Sequence, residues 1–154
     1  MTAATTVGLV EACWDALRQV DDPEYPGVSI VDLGLVERVE LIDGAIEVDL
    51  IPTFSGCPAL AMIAADVEKA VSNVAATARV RWCQTPLWTT DRMSTRARRA
   101  LADEFTVAVQ IGQRRPVCPR CSGELVEQSL FGPSRCRSIA TCTSCGEIVE
   151  TMRS

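Results

Sequence analysis

Histidine is absent from the 154-residue sequence. That removes the imidazole general base, the Ser/His and Cys/His nucleophile pairs and every zinc site built on a ring nitrogen. Long apolar runs are also missing. Without about eighteen consecutive apolar residues no membrane-spanning helix is expected, and no positive segment leads into an apolar stretch as a signal peptide requires. The chain is therefore expected in the cytoplasm. Its length suits one modest core with a small appended module and excludes an elaborate multidomain enzyme. Metal chemistry is left to thiolates and carboxylates.

What is present is unevenly spread. Residues 1–78 carry three basic and thirteen acidic side chains, residues 79–115 eight and three, and residues 116–154 four of each. An acidic body argues against phosphate-backbone binding, and the basic middle, including Arg92, Arg96, Arg98, Arg99, Arg114 and Arg115, is suited either to an acidic protein surface or simply to solvent.

Hydrophobic spacing predicts an opening helix from Val7 to about Val20, on which Cys13 is a core residue. It stops before the acidic, proline-rich turn 21–27. Strand Leu35–Leu41, the hairpin signal Asp43-Gly44 and the alternating run Ala45–Ile51 follow, with Ile46, Val48 and Leu50 facing the core. A helix over about Ala59–Val74, a strand over Ala78–Trp82 and a basic helix over Thr95–Asp103 complete the pattern. The expected class is α+β, a small three-stranded sheet packed with helices and followed by a cysteine-rich tail. Trp82 and Trp88 read as packing residues and Cys83 as a core thiol. Composition shifts after Phe105, which suggests a domain over 1–105, a linker over 106–116 and a tail over 117–154.

Five of the eight cysteines crowd that tail. Cys118-x2-Cys121 and Cys142-x2-Cys145 are separated by twenty residues, and each two-residue gap lets a tight turn aim two sulfurs at one cation. A structural zinc held by Cys118, Cys121, Cys142 and Cys145 is the favoured reading. Four thiolates alone do not separate zinc from an iron-sulfur cluster, and two disulfides are the third reading, disfavoured in a reducing compartment. Cys136 is an alternative ligand, and Arg120 and Arg137 are candidate outer partners of the anionic centre. The tail is charge-balanced with Phe131 as its one aromatic, so nucleic acid is not an expected partner.

Ser55-Gly56-Cys57-Pro58 carries a second candidate thiol. Proline suits the first turn of a helix, so Cys57 is expected at or beside the N-cap, where unpaired amides and the helix dipole favour a thiolate. The sulfur is a candidate for handling metal or persulfide, and the alternative is a cysteine that fills the bend. Asp22 and Glu24 could lie across from it; their charge would oppose a thiolate unless a cation intervened. Thr53 and Asp91 are further supporting candidates.

The combination of Asp22-Pro23-Glu24, Ser29–Val36, Pro52–Ala59 and Trp88–Asp91 with Cys118-Pro119-Arg120-Cys121, Phe131-Gly132-Pro133-Ser134-Arg135-Cys136 and the last C-x2-C resembles the PaaD (PaaJ) family of the phenylacetyl-CoA epoxidase system. The resemblance implies an iron-sulfur assembly domain over 1–105, a zinc-binding domain over 117–154 and an auxiliary role in phenylacetate catabolism. It implies maturation of a metal centre, above all the cluster of the iron-sulfur and flavin reductase, with epoxidase components and the iron-sulfur assembly machinery as partners. Transient iron or an iron-sulfur cluster at Cys57 follows from the same resemblance. The sequence has neither diiron ligands nor a nucleotide-binding glycine fingerprint, so it is not expected to be an independent oxygenase. The alternative is a non-catalytic structural or interaction subunit of the epoxidase complex.

Overall fold

The computed structural model describes residues 3–134 and 136–153; Arg135, part of the tail motif, lies outside the described residues. The chain divides at Leu87/Trp88 into two compact units. This break lies ahead of the one expected after Phe105. The basic helix and the segment read as a linker fold with the tail, because Val107–Val109 is a strand of the tail's own sheet.

The first unit opens with α1 (Ala3–Leu17), whose Cys13 and Leu17 are fully buried. The helix ends short of Val20. Its last amides tighten to three-residue spacing, Gln19 N–H donating to the Ala16 carbonyl and Val20 N–H to that of Leu17. The acidic turn is a small hairpin of β1 (Asp21–Asp22) and β2 (Tyr25–Ser29). Asp22 Oδ1 accepts from the Glu24 N–H and Asp21 Oδ2 from the Gly27 N–H, each at 2.8 Å. These carboxylates take up donors that Pro23 and Pro26 leave without a ladder.

β3 (Val36–Ile42) returns as β4 (Ala45–Leu50) through Asp43 and Gly44, at φ 50° and 80°. Both left-handed positions are what a tight hairpin with the strands' own twist demands. α2 (Leu60–Ser72) then crosses to β5 (Ala78–Trp82), which runs parallel to β4 and makes the order β3-β4-β5. Ile46, Val48 and Leu50 of the central strand are fully buried, as their alternation predicts, and Ile63, Val67 and Val71 form the buried stripe of α2. Each such side chain contributes roughly 1.5–3 kcal/mol by leaving water.

The second unit contains a single 3-10 turn (Thr90–Arg92), α3 (Thr95–Phe105), β6 (Val107–Val109), β7 (Leu125–Ser129), β8 (Arg137–Cys142) and β9 (Ile148–Met152). Ser94 Oγ caps α3 by accepting from the Ala97 N–H at 3.0 Å, and Thr106 closes it in the left-handed region. The sheet order is β6-β9-β8-β7, antiparallel except for the β6/β9 pair. Among the described residues no helix is long and apolar enough to cross a membrane.

The face of β4 opposite its apolar row carries Glu47 and Asp49. Asp49 sits between Arg38 of β3 and Arg81 of β5, accepting from both guanidinium groups at 2.7 to 3.0 Å. Burial pushes its carboxyl up, but the bonds from Arg81 and Arg38 outweigh this and hold it below the ordinary 3.8. A depressed carboxyl stabilises the fold above its unfolded value and loses that contribution as pH falls through the lower folded value. Because both arginines are about half exposed, Asp49→Asn should cost about 1–3 kcal/mol near neutrality. Urea unfolding as a function of pH should show the gap between wild type and variant closing below the ordinary carboxylate range; a gap independent of pH would mean the pairs contribute nothing.

Candidate metal centre

The tail's four paired cysteines converge. Their Sγ atoms all lie within 4.8 Å of one another, with 3.8 Å between Cys118 and Cys145 and 3.4 Å between Cys121 and Cys142. A tetrahedral ion with ligands at about 2.3 Å sets its sulfurs roughly 3.8 Å apart, so the set fits one four-coordinate metal. The geometry arises from two turns of the same design. In the first, Cys118 N–H donates to the Gly123 carbonyl and Ser122 N–H to the Cys118 carbonyl; in the second, Cys142 N–H donates to Glu147 and Gly146 N–H to Cys142. Ser122 (φ 61°) and Gly146 (φ 75°) hold equivalent left-handed positions just after each second cysteine.

Gly123 has a different task from Gly146. A Cβ there would lie 2.5 Å from Ser144 Oγ, 2.8 Å from Ser144 Cβ and 2.9 Å from Cys142 Sγ. It is the point at which the first turn touches the second. Cys118 and Cys142 are buried and form a small cluster with Ala108, Val149 and the partly buried Leu125. Cys121 and Cys145 are exposed.

Backbone amides of Cys145 and Ser144 lower the Cys142 thiol to about 6. At Cys121 the Gly123 amide pulls downward, but the thiols of Cys142, Cys145 and Cys118 prevail and push it up to about 12. Four neighbouring thiolates repel one another, and a cation reverses that balance.

Cys136 is outside the four-sulfur group. It lies just before β8 with its sulfur 3.1 Å from Ser134 Oγ. Arg137, read as a candidate outer partner, pairs across the sheet with Glu150 at 2.5 Å, and Arg120 is exposed.

Cys57 stands in the loop between β4 and α2, half-buried. The helix begins at Leu60 with Ala59 as N-cap, so Cys57 lies two residues ahead of the cap rather than on it. Its N–H donates to the Phe54 carbonyl at 3.1 Å, and its own carbonyl accepts from the Leu60 N–H at 3.3 Å. A Cβ on Gly56 would lie 2.7 Å from the Phe54 ring, so the ring lies directly against Gly56. Thr53 is in the same loop and half-buried. The carboxylate of Asp22 is engaged by its own hairpin, and Glu24 is exposed. Among the described residues, neither joins Cys57 in a metal-ligand group. Asp91 belongs to the second unit, where Oδ1 accepts from the Gly112 N–H at 3.1 Å. Arg98 of the basic helix donates to the Thr90 and Asp91 carbonyls, both at 3.4 Å, while Arg99 is exposed. Cys83 is half-buried and Trp88 buried.

Fold and centre together define an iron-sulfur assembly domain joined to a cysteine-clamped β ribbon. Residues 11–82 match the iron-sulfur cluster assembly protein family and residues 103–153 the PaaD zinc beta ribbon domain. The chain is 33% identical over 147 residues to a 1,2-phenylacetyl-CoA epoxidase subunit of Escherichia coli K12, covering 90% of this chain and 88% of the relative. It is 40% identical over 96 residues to the Fe-S protein maturation auxiliary factor YitW of Bacillus subtilis, covering 60% of this chain and 93% of that protein. A solved DUF59 domain from Bacillus anthracis matches with a TM-score of 0.61 at 31% identity, over 66% of this chain and 99% of that one. The chain belongs to the PaaD family.

Two measurements probe the centre. Gly123→Ala should weaken metal retention and lower the ribbon's stability by about 1–3 kcal/mol, read by metal release to a chelator, with the first unit's unfolding unchanged. Cys136→Ser should keep the full metal content whereas Cys142→Ser should lose it; equal loss in both would make Cys136 a ligand.

Proposed function

We propose that this chain is an auxiliary factor that matures a metal centre of the phenylacetyl-CoA epoxidase system, assisting iron-sulfur cluster assembly in the reductase. The observation that carries this reading is the union in one chain of the two matched families, together with the likeness to the Escherichia coli epoxidase protein over nine-tenths of the sequence. In this reading Cys57 is the working thiol of the assembly domain and the transient holder of iron, cluster or sulfur in transit. Its exposure is compatible with exchange, and its backbone is held on both sides by Phe54 and Leu60. Asp22, Glu24 and Thr53 are its candidate supporting residues, and Asp91 belongs to the second unit.

The ribbon's resident metal is proposed to be zinc, held by Cys118, Cys121, Cys142 and Cys145. It supplies a crosslink without redox chemistry. The same reading expects a cytoplasmic protein, since its thiols must stay reduced. A second reading makes the chain a non-catalytic interaction subunit, in keeping with the Escherichia coli relative being named as part of the epoxidase itself.

Elemental analysis of protein purified without added metal should find zinc near one equivalent, and chelation should expose the ribbon to protease before the first unit; iron with acid-labile sulfide in its place would reassign the centre. For function, iron and acid-labile sulfide loaded into purified reductase should be measured with wild type, with Cys57→Ser and with no added chain. Cys57→Ser should keep fold and zinc while loading falls by about tenfold or more. Loading equal to wild type would favour the interaction subunit.

A further inference from the structure

The loop between β4 and α2 is fixed at both ends. Ile51 is buried and its N–H donates to the Leu35 carbonyl at 2.7 Å, while Ile63, in the first turn of α2, is buried on the other side. Residues 52–59 between them are exposed or half-buried, and Phe54 is their largest side chain. Cys57 joins two successive turns. Its N–H ends the first by donating to the Phe54 carbonyl, and its own carbonyl begins the second by accepting from the Leu60 N–H. The direction of its thiol therefore depends on the backbone of the residue before it, Gly56.

A glycine is the loosest choice for that place, since its backbone is freer than that of any other residue. Gly27, Gly34, Gly44, Gly112 and Gly146 use the freedom by adopting positive φ, but Gly56 is not among them. What requires a glycine here is close approach. A Cβ at residue 56 would lie 2.7 Å from Cε1 of the Phe54 ring and 3.1 Å from its Cζ, well inside van der Waals contact. Any side chain at this position must drive the ring away. Phe54 thus grips Cys57 twice, through its carbonyl on the Cys57 amide and through its ring on the residue that precedes it.

We infer that Phe54 and Gly56 act as one clasp that positions the Cys57 thiol, the ring supplying the rigidity that the glycine gives up. This rests on reading Cys57 as the working thiol and adds to it the residues that aim it. Phe54 is a positioning residue, because its part is played through the backbone of residues 56 and 57. Removing the ring leaves the sulfur present but unaimed. A small reagent then reaches it more readily, whereas delivery of iron or sulfide to a client, which needs one orientation, slows.

The test alkylates the folded full-length chain with iodoacetamide and follows the peptide bearing Cys57 by mass spectrometry. Phe54→Ala and Gly56→Ala should each speed alkylation of Cys57 by about threefold or more. The double variant should be no faster than Phe54→Ala alone, because the added methyl then has no ring to displace. Phe54→Tyr, which keeps the ring, should return the wild-type rate. Cys13, wholly buried in the same unit, should stay unmodified throughout and so separates a loosened loop from unfolding. Effects of the two substitutions that simply multiply overturn the inference, as does a wild-type rate in Phe54→Ala. A faster rate accompanied by modification of Cys13 also overturns it, by making Phe54 a support of the whole unit. Iron and acid-labile sulfide loaded into the reductase are measured in parallel. Loading lost in Cys57→Ser but unchanged in Phe54→Ala overturns the aiming role; loading unchanged in both removes the maturation reading, and the alkylation rates still decide the clasp.

Discussion

Four sulfur atoms packed within 4.8 Å of one another govern the second unit. Without a cation the cluster sets its members against each other, lowering one thiol and raising its neighbours. With one, the same repulsion becomes attraction to a common centre. Two of the sulfurs, those of Cys118 and Cys142, are themselves part of a buried cluster with Ala108 and Val149, with Leu125 at its margin, so the four-cysteine group and this part of the ribbon core are continuous.

Much of this was legible because it is local. The C-x2-C spacing names the ligands without any knowledge of the fold, since each pair is brought together by its own turn. Asp43-Gly44 marks the hairpin, and Ala78–Trp82 is a strand in the structure as in the sequence. What escaped the sequence is what depends on partners far along the chain. Asp49 reads as one more polar residue on an alternating strand until Arg38, eleven residues away, and Arg81, thirty-two away, meet at its carboxylate. The segment Val107–Val109 reads as a connection because nothing near it reveals that β9 will run alongside.

The loop of Cys57 shows a finer limit. Proline before a helix correctly marks the junction, but the chain makes an additional turn through Pro58 and Ala59 before the first helical residue. In that loop the Phe54 ring lies against Gly56 and the Phe54 carbonyl receives the Cys57 amide, contacts that no local spacing rule announces.

The parallel seam between β6 and β9 bears on the order in which the molecule comes into being. Synthesis delivers β6 directly behind α3, yet its neighbour in the sheet comes only with residues 148–152. The first cysteine pair leaves the ribosome twenty residues ahead of the second. Through that interval two thiols stand without the other half of their site and a strand edge has no cover, the state in which nascent chains are most open to oxidation and mispairing. The nascent ribbon therefore depends on reducing surroundings before it depends on metal.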